Sequence, residues 1–493
     1  MPDDLGHFGS LNWTIVAVFL AGTAWFGHVL GDRSSSLKEF FLGDRKLPWW
    51  AVSLSIIASQ TSGITLIAVP AAVFAANGNT GYGQLMIGVV IGKLLMVVLF
   101  VRAYFDKLIY SPYEFMARRL GSRPAHLARL LFLVSAVLTQ AVRLVATAVV
   151  VSEVTGLSGS ACIFILSGFS AAHCVAGGIR AVIWTDVIQA SVFFLGGIFM
   201  LFCINAHISM NWTAMLTVLD ERAKLMLIDW SLDPAKPFTI WVALFAFPFY
   251  ELALNSTDQV VTQRLMCLSN AREARKAVLT SCVGTIVMAT VMLAVGLGLV
   301  LYYHGQPLPS DAAARIQQDA NRIIPYHVVN HLPDGLSALI IAAIFAAGIS
   351  TLDSALAALS QTSVMGIYRQ YVRKQHEESH FVFAAKISVV LWGLVLCGLG
   401  VFFHHRGGAL LERLFTVAAY AYGPLLGIGL LALMRRGHWP GIVAGTCCAC
   451  SSVVVLQLLC IHLFWAYPLG AAVLIVTALC ADTFCPPAPS AAD

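Results

Sequence analysis

Residues 342–360, AAIFAAGISTLDSALAALS, are apolar enough to cross a membrane, yet they carry Ser350, Thr351, Asp353 and Ser354. On a helix Ala347, Ser350, Thr351 and Ser354 fall at i, i+3, i+4 and i+7 and share one face, with Asp353 at its edge. Hydroxyl and carboxylate oxygens are what a hard cation takes as ligands. An ionisable residue inside a membrane span marks a candidate functional site. The competing reading is packing: small residues spaced by three or four let membrane helices approach closely, and Ser or Thr hydroxyls bond their own i−4 carbonyls. Asp353 brings the two readings level, and the rest of the chain must decide between them.

Two further stretches carry polar groups where an apolar span is expected. Residues 58–63, Ala-Ser-Gln-Thr-Ser-Gly, break the pattern of a span that continues to Pro70 and beyond. Residues 250–259, Tyr-Glu-Leu-Ala-Leu-Asn-Ser-Thr-Asp-Gln, do the same later in the chain. Broken helices at membrane depth are tolerated where they line a cavity or are buried in protein, and their freed carbonyls can coordinate Na⁺. Glu251 and Asp258 would be costly in lipid, so they should face a cavity or pair with a cation. Arg143, inside another span, could anchor an anionic solute through its planar fork, or pair structurally with Glu251 or Glu153. Lys93 reads as a snorkelling or paired residue. Asp186, in GGIRAVIWTDVIQ, could cap a helix or complete a cation site with the Asp353 face.

The elements that hold these residues follow from composition. The 493 residues are 59% hydrophobic and 11% charged, where a soluble domain has about 25% charge. This is a polytopic, all-helical membrane protein. The net charge of +5 needs no nucleic acid, and no basic run interleaved with aromatics is present. The twelve Cys lack zinc-type spacing with His partners and read as small buried hydrophobes. No cleavable signal peptide is evident, and Trp13 to Leu30 read as a first span. Thirteen spans are expected, at about 11–31, 48–75, 80–101, 126–155, 158–177, 181–205, 237–262, 277–303, 335–368, 381–403, 411–434, 439–463 and 466–484. Twenty-one of the 30 basic residues, from Arg33 through Lys107, Arg264, Arg373 and Lys374 to Arg436, then fall on one side, seven on the other and two within spans. The rule that cytoplasmic loops are positive puts the N-terminus outside and the C-terminus inside. The outside loops 206–236 and 304–334 should form short surface helices, and the tail CPPAPSAAD from 485 to 493 a short disordered end. The two interrupted spans, the second and the seventh, are five apart, which is the pointer to an inverted-repeat transporter.

With these residues in view, the chain from about 11 to 484 resembles the sodium/solute symporter family of sodium–glucose, sodium–proline, sodium–sialic acid and sodium–monocarboxylate transporters. The motifs that carry the resemblance are FLGDRKLPWW, GGIRAVIWTDVIQ, STDQVVTQR and AAGISTLDSALAALS before IYR. It implies a LeuT-like fold in one transporter domain over 1–484: a leading helix at 11–31, five-helix repeats at 48–205 and 237–434, and two trailing helices at 439–484. It implies a main sodium site made by the carbonyls of Ala58, Thr61 and Ala347 and the hydroxyls of Ser350 and Thr351. A second sodium site would involve Asp186, Ser350, Asp353 and Ser354, with Asp353 standing where the sialic acid transporters have a hydroxyl. Gln60, Gln84, Tyr250, Glu251, Leu254 and Asn255 would line the solute cavity, with Arg143 beside them. The sugar transporters have an aromatic gate at about Leu254, and this chain has none.

The expected function is sodium-coupled symport of a small organic solute by alternating access, an anion such as a monocarboxylate or sialic acid. The alternative is proton- or sodium-coupled symport of a neutral sugar, polyol or amino acid. A channel would need a continuous polar lining, and an enzyme a metal constellation or a nucleophile with its base; neither pattern is present, so no catalytic residue is assigned. The expected partners are Na⁺, the solute and the lipid bilayer of a bacterial or archaeal inner membrane, with no obligate protein partner.

Overall fold

The computed structural model describes residues 9–30, 36–61, 63–106, 109–333, 335–372, 377–406 and 410–484. The interruption at Ser62, the cations Arg33, Lys107, Arg373 and Lys374, and the expected disordered tail lie outside the described residues. The leading helix α1 (Ser10–Leu30) and the short α2 (Leu37–Leu42) precede the pair α3 (Trp49–Gln60) and α4 (Gly63–Phe74). Then come α5 (Leu85–Met96), α6 (Arg102–Phe105), α7 (Pro112–Leu120), α8 (Ser122–Thr155) and α9 (Gly159–Ala206). The surface helix α10 (Trp212–Glu221) leads to α11 (Phe247–Ser256), α12 (Gln259–Met266) and α13 (Ala271–Gly305). Two more surface helices, α14 (Ser310–Gln318) and α15 (Ile323–His331), precede α16 (Leu336–Ser363), α17 (Glu378–Arg406) and α18 (Leu410–Met434). The trailing helices are α19 (Trp439–Leu458) and α20 (Ala466–Phe484). Both expected outside loops therefore contain the short helices read from their sequence.

Among the described residues, ten helices are long and apolar enough to cross a membrane, and counting α3 with α4, bent by 56° at their break, as one broken span makes eleven. The 48 residues of α9 would run about 72 Å if straight, more than twice a hydrocarbon core of about 30 Å. They are not straight: Gly178 takes φ 55° and ψ −158° and splits α9 into two arms. A Cβ there would sit 2.8 Å from the Phe40 carbonyl oxygen, so position 178 requires glycine on two counts. A π-helical stretch Val242–Ala246 continues into α11, and α11 and α12 part at Thr257 and Asp258. Each of the thirteen expected segments is thus helical.

The core is built around α16, whose residues are buried almost all round, as a helix apolar on every face must be. It packs against α9, α8, α17, α1 and α3. Gly348 is where α8 comes closest: a Cβ there would lie 2.5 Å from Thr147 Cγ2. The packing reading of this helix is therefore realised at Gly348.

Three expectations about charge change at this level. Asp186 is not a helix cap near the start of a span; it lies well inside the second arm of α9, fully buried. Arg264 and Arg45 were counted with loop cations, but Arg264 is fully buried and Arg45 nearly so, with Nη2 donating to the Ile109 carbonyl at 2.6 Å. Asp258 has no cation within 4.0 Å among the described residues: it caps α12 by accepting from the Val260 N–H at 2.7 Å, and its other oxygen accepts from Tyr422 Oη at 2.6 Å.

Candidate functional site

The end of α3 and the middle of α16 meet. Thr61 turns out of the helix with φ −91° and ψ 108°, and its N–H bonds the Ile57 carbonyl at 2.8 Å. The last carbonyls of a helix have no partner within it, so the chain after Ile57 is the source of free acceptors. Ala58, Thr61, Ala347 and Ser350 line one cavity of about 10 Å³. That is room for a single water-sized sphere. Ser350 Oγ donates to Asp186 Oδ1 at 2.5 Å, which spends its proton and leaves its lone pairs for a cation. Thr351 Oγ1 donates to the Ala347 carbonyl at 2.8 Å, and Ser354 Oγ to the Ser350 carbonyl at 2.5 Å, both at i−4. The back-bonding expected of small hydroxyl residues therefore holds for Thr351 and Ser354, and Ser350 is the hydroxyl that leaves the helix.

The expected second site already holds a protein cation. Arg264, from α12, donates through Nη2 to Asp186 Oδ2 at 3.0 Å and through Nε to Ser55 Oγ at 2.7 Å. Its Nη2 also contacts Ser354 Oγ. Ser55 Oγ in turn donates to Asp186 Oδ2 at 2.5 Å. Four helices, α3, α9, α12 and α16, are tied at this carboxylate. Asp353 points the other way: its Oδ2 lies 2.6 Å from His173 Nδ1, and its backbone carbonyl accepts from Cys174 Sγ at 3.3 Å. Asp186 and Asp353 thus do not share one ion-sized space. Asp186 is compensated by Arg264 and fully hydrogen-bonded, whereas Asp353 Oδ1 and His173 Nε2 are buried without a partner among the described residues.

A second cavity, of about 190 Å³, lies between the two interrupted helices. Gln60, Arg143, Tyr250, Glu251 and Leu254 line it, with apolar walls from side chains such as Val69, Met288 and Phe464. Arg143 Nε is buried without a hydrogen-bond partner, and no carboxylate lies within 4.0 Å of this guanidinium among the described residues. The structural pairing expected for Arg143 is not formed: Glu153 goes to Arg322 at 3.4 Å, and Glu251 Oε2 accepts from Asn255 Nδ2 at 3.1 Å. Asn255 sits behind the wall, where its Oδ1 accepts from Gln60 Nε2 at 3.2 Å and joins the two breaks directly. Lys93 is fully buried and does not snorkel; its Nζ donates to Gln60 Oε1 and Ser281 Oγ, each at 3.1 Å. Gln84 is outside this lining. Its amide braces the loop that follows α10, accepting from the Asp229 N–H at 3.0 Å and donating to the Gly81 carbonyl at 3.3 Å.

Sequence reading missed three of these groups. Arg264 is inside STDQVVTQR, but its position near a loop hid its burial. His173, in AAHC, is an ionisable residue in an apolar span, the same signal that singled out Asp353. Gln189 lies one turn beyond Asp186 and lines the small cavity with Ala58 and Ser350.

Comparisons with known proteins identify the family and the fold. The sodium/sialic acid symporter NanT of Aliivibrio fischeri is 25% identical over 454 residues, covering 91% of this chain and 88% of the relative. Mouse sodium-coupled monocarboxylate transporter 2 is 23% identical over 448 residues, covering 89% of this chain and 71% of the relative. The human sodium/iodide cotransporter is 24% identical over 446 residues, covering 89% and 68%. In fold, the chain matches a substrate-bound, outward-open Na⁺-coupled sialic acid symporter with a TM-score of 0.86 at 21% identity, covering 99% of this chain and all of the other. It also matches Mhp1, a nucleobase-cation-symport-1 transporter, with a TM-score of 0.56 at 15% identity, covering 92% and 96%. The LeuT-like fold is that of these neighbours. The family model of the sodium:solute symporters matches residues 40–445, most of the length, and the chain is a multi-pass, sodium-coupled member of the sodium:solute symporter family.

Proposed function

We propose that the solute carried with Na⁺ is a small monocarboxylate. The observation that carries this reading is Arg143: a guanidinium at the wall of the central cavity, its Nε unpartnered and, among the described residues, with no carboxylate within 4.0 Å. A cation left unpaired beside an apolar cavity is costly unless a ligand supplies the anion. A carboxylate matches the guanidinium fork with two parallel hydrogen bonds. The cavity, about 190 Å³, is smaller than the roughly 300–1,000 Å³ of sites for drug-sized ligands. Its apolar walls suit a short aliphatic or aromatic tail better than a polyhydroxylated one. Sialic acid is the second reading, favoured by similarity to symporters of that solute.

Na⁺ would be held by the carbonyls of Ala58, Thr61 and Ala347 and the hydroxyls of Ser350 and Thr351. Binding there joins the end of α3 to α16. Gln60, at that same end of α3, faces the solute cavity, so ordering α3 for sodium also orders a wall for the solute. Coupling of this kind is reciprocal: sodium must raise solute affinity by the factor by which solute raises sodium affinity. Outer closure and inner opening then follow from differential affinity for the two states. Five-helix repeats at 48–205 and 237–434, supported by the breaks after Gln60 and Ser256, would rock against each other. The charge asymmetry survives removal of the buried Arg45 and Arg264 and supports an outside N-terminus in a bacterial or archaeal inner membrane.

The test is a thermal-shift panel of carboxylates, sialic acids, amino acids, sugars and polyols on the purified protein, in Na⁺ and with K⁺ replacing it. Small monocarboxylates are expected to stabilise only in Na⁺, and Ser350→Ala should abolish the dependence. Stabilisation by a neutral sugar and not by any acid would overturn the anionic reading.

A further inference from the structure

We propose that a cavity of about 420 Å³ at the shared end of α18, α19 and α20 binds the phosphate of an anionic phospholipid. Arg119, Arg435, Arg436, His438 and Asp482 bring charged and polar side chains to it, and Leu479 an apolar one. Asp482 is already engaged. Its Oδ2 accepts from the Gly437 N–H at 2.9 Å, its Oδ1 accepts from the His438 N–H at 3.0 Å, and His438 Nδ1 lies 2.7 Å from that same Oδ1. Arg119 reaches the end of α18, where its Nη1 donates to the Leu433 carbonyl at 3.3 Å. Arg435 and Arg436 are exposed and have no carboxylate within 4.0 Å among the described residues. Three guanidiniums therefore line the cavity against one carboxylate that is spent on its neighbours. Burial, and then the charge of Arg435, hold the Arg119 guanidinium below its ordinary value, so an anion between them would relieve the crowding.

The backbone sets two of these cations in place. The Arg436 N–H bonds the Leu431 carbonyl at 3.1 Å and the Arg435 N–H bonds the Ala432 carbonyl at 3.3 Å, which closes α18 in a Schellman turn. Arg435 takes φ 54° there, at a position that glycine usually fills. The depth of the cavity favours a lipid. One apolar span ends at Met434, the next begins at Trp439 and the last ends at Thr483, so the cavity sits where hydrocarbon gives way to headgroups. Trp439 suits that level, as interfacial aromatics do. Val476 lies one turn deeper than Leu479 on the same face of α20 and is 59% exposed, which gives an acyl chain an apolar track below the phosphate. The guanidinium fork matches phosphate oxygens in pairs, and basic pockets between spans are where anionic headgroups settle. A free phosphate would use the guanidiniums and leave the track empty.

The experiment follows thermal melts of the full chain in neutral detergent at low salt, titrated with dioleoyl phosphatidylglycerol, dioleoyl phosphatidylcholine or inorganic phosphate. Phosphatidylglycerol is expected to raise the melting temperature saturably, and the other two are not. Arg435→Gly with Arg436→Gln removes two cations, and glycine suits the φ of 54°. This double variant is expected to raise half-saturating phosphatidylglycerol about tenfold or more. Arg272→Gln with Arg275→Gln removes two exposed cations of α13 that do not line the cavity, and is expected to keep the parental value. Parental half-saturation in the Arg435 and Arg436 variant overturns the proposal, and so does an equal shift in the α13 variant, which would mean a general charge effect. Equal stabilisation by phosphatidylcholine overturns the anionic headgroup, and equal stabilisation by inorganic phosphate overturns the lipid. Should the double variant fail to fold, Arg435→Gly alone is read in the same way, with a shift of several-fold expected and a parental value overturning the site.

Discussion

Arg143 and Arg264 carry the same charge and are held in opposite ways. Arg143 waits at the cavity wall with its Nε unpartnered. Arg143→Gln should therefore leave Na⁺-induced stabilisation intact while weakening solute binding by about 1.5–3 kcal/mol, the range for a hydrogen bond to a charged group. That is roughly 10- to 150-fold in Kd, read by titration calorimetry in saturating Na⁺. Arg264 is spent on Asp186, Ser55 and Ser354. Arg264→Met should lower stability by about 3–5 kcal/mol because it strands a buried carboxylate. Adding Asp186→Asn should recover part of that loss in thermal melts, since the two residues interact directly. Asp353 and Arg143 were legible because ionisable groups in apolar spans are conspicuous. Their partners were not. Composition cannot say that His173 meets Asp353 across 180 positions, or that Glu153 is already engaged by Arg322.

At the scale of elements, hydropathy located the spans because a membrane forces backbone groups to bond within each segment. The breaks were legible as polar runs at 58–63 and 250–259 for the same reason. What escaped was direction. The fold of α9 back from the Phe40 backbone at Gly178 depends on one positive φ, and the GGIR sequence alone does not place it. Gly178→Ala should cost at least about 1–2 kcal/mol for the left-handed backbone, with the clash against the Phe40 carbonyl added, and lower the melting temperature. The surface helix α15 makes a different prediction. His327 is 1% exposed, its Nδ1 lies 3.1 Å from Tyr303 Oη, and burial, with His331 and His207 nearby, holds its imidazole down at about 3. The unfolded chain takes up this proton below about 6.5. Stability from a neutral buried His327 is therefore complete above pH 6.5 and lost as pH falls toward 3, by up to about 1.4 kcal/mol per unit. His327→Gln should flatten the fall in melting temperature between pH 7 and pH 5.

For the molecule as a whole, the two interrupted helices are joined by side chains from both halves. Gln60 near the first break bonds Asn255 near the second, and Lys93 holds Gln60 from α5. The trailing part of the chain also takes part, because Phe464, just before α20, lines the solute cavity. The resemblance read from the motifs anticipated the architecture over nearly the whole length. It did not anticipate a resident guanidinium beside Asp186, since Arg264 lies in a motif whose charge looked like a loop cation. That guanidinium has an electrical consequence. Arg264 stays with the protein, so the place suggested for a second travelling sodium already holds a fixed positive charge. If the cargo is one Na⁺ with the proposed monocarboxylate, their charges cancel and voltage would do no work on the loaded step. Sodium-driven uptake into proteoliposomes should run at the same rate with the membrane clamped at zero and with a potassium diffusion potential negative inside. Acceleration by that potential would mean that a second cation makes the journey.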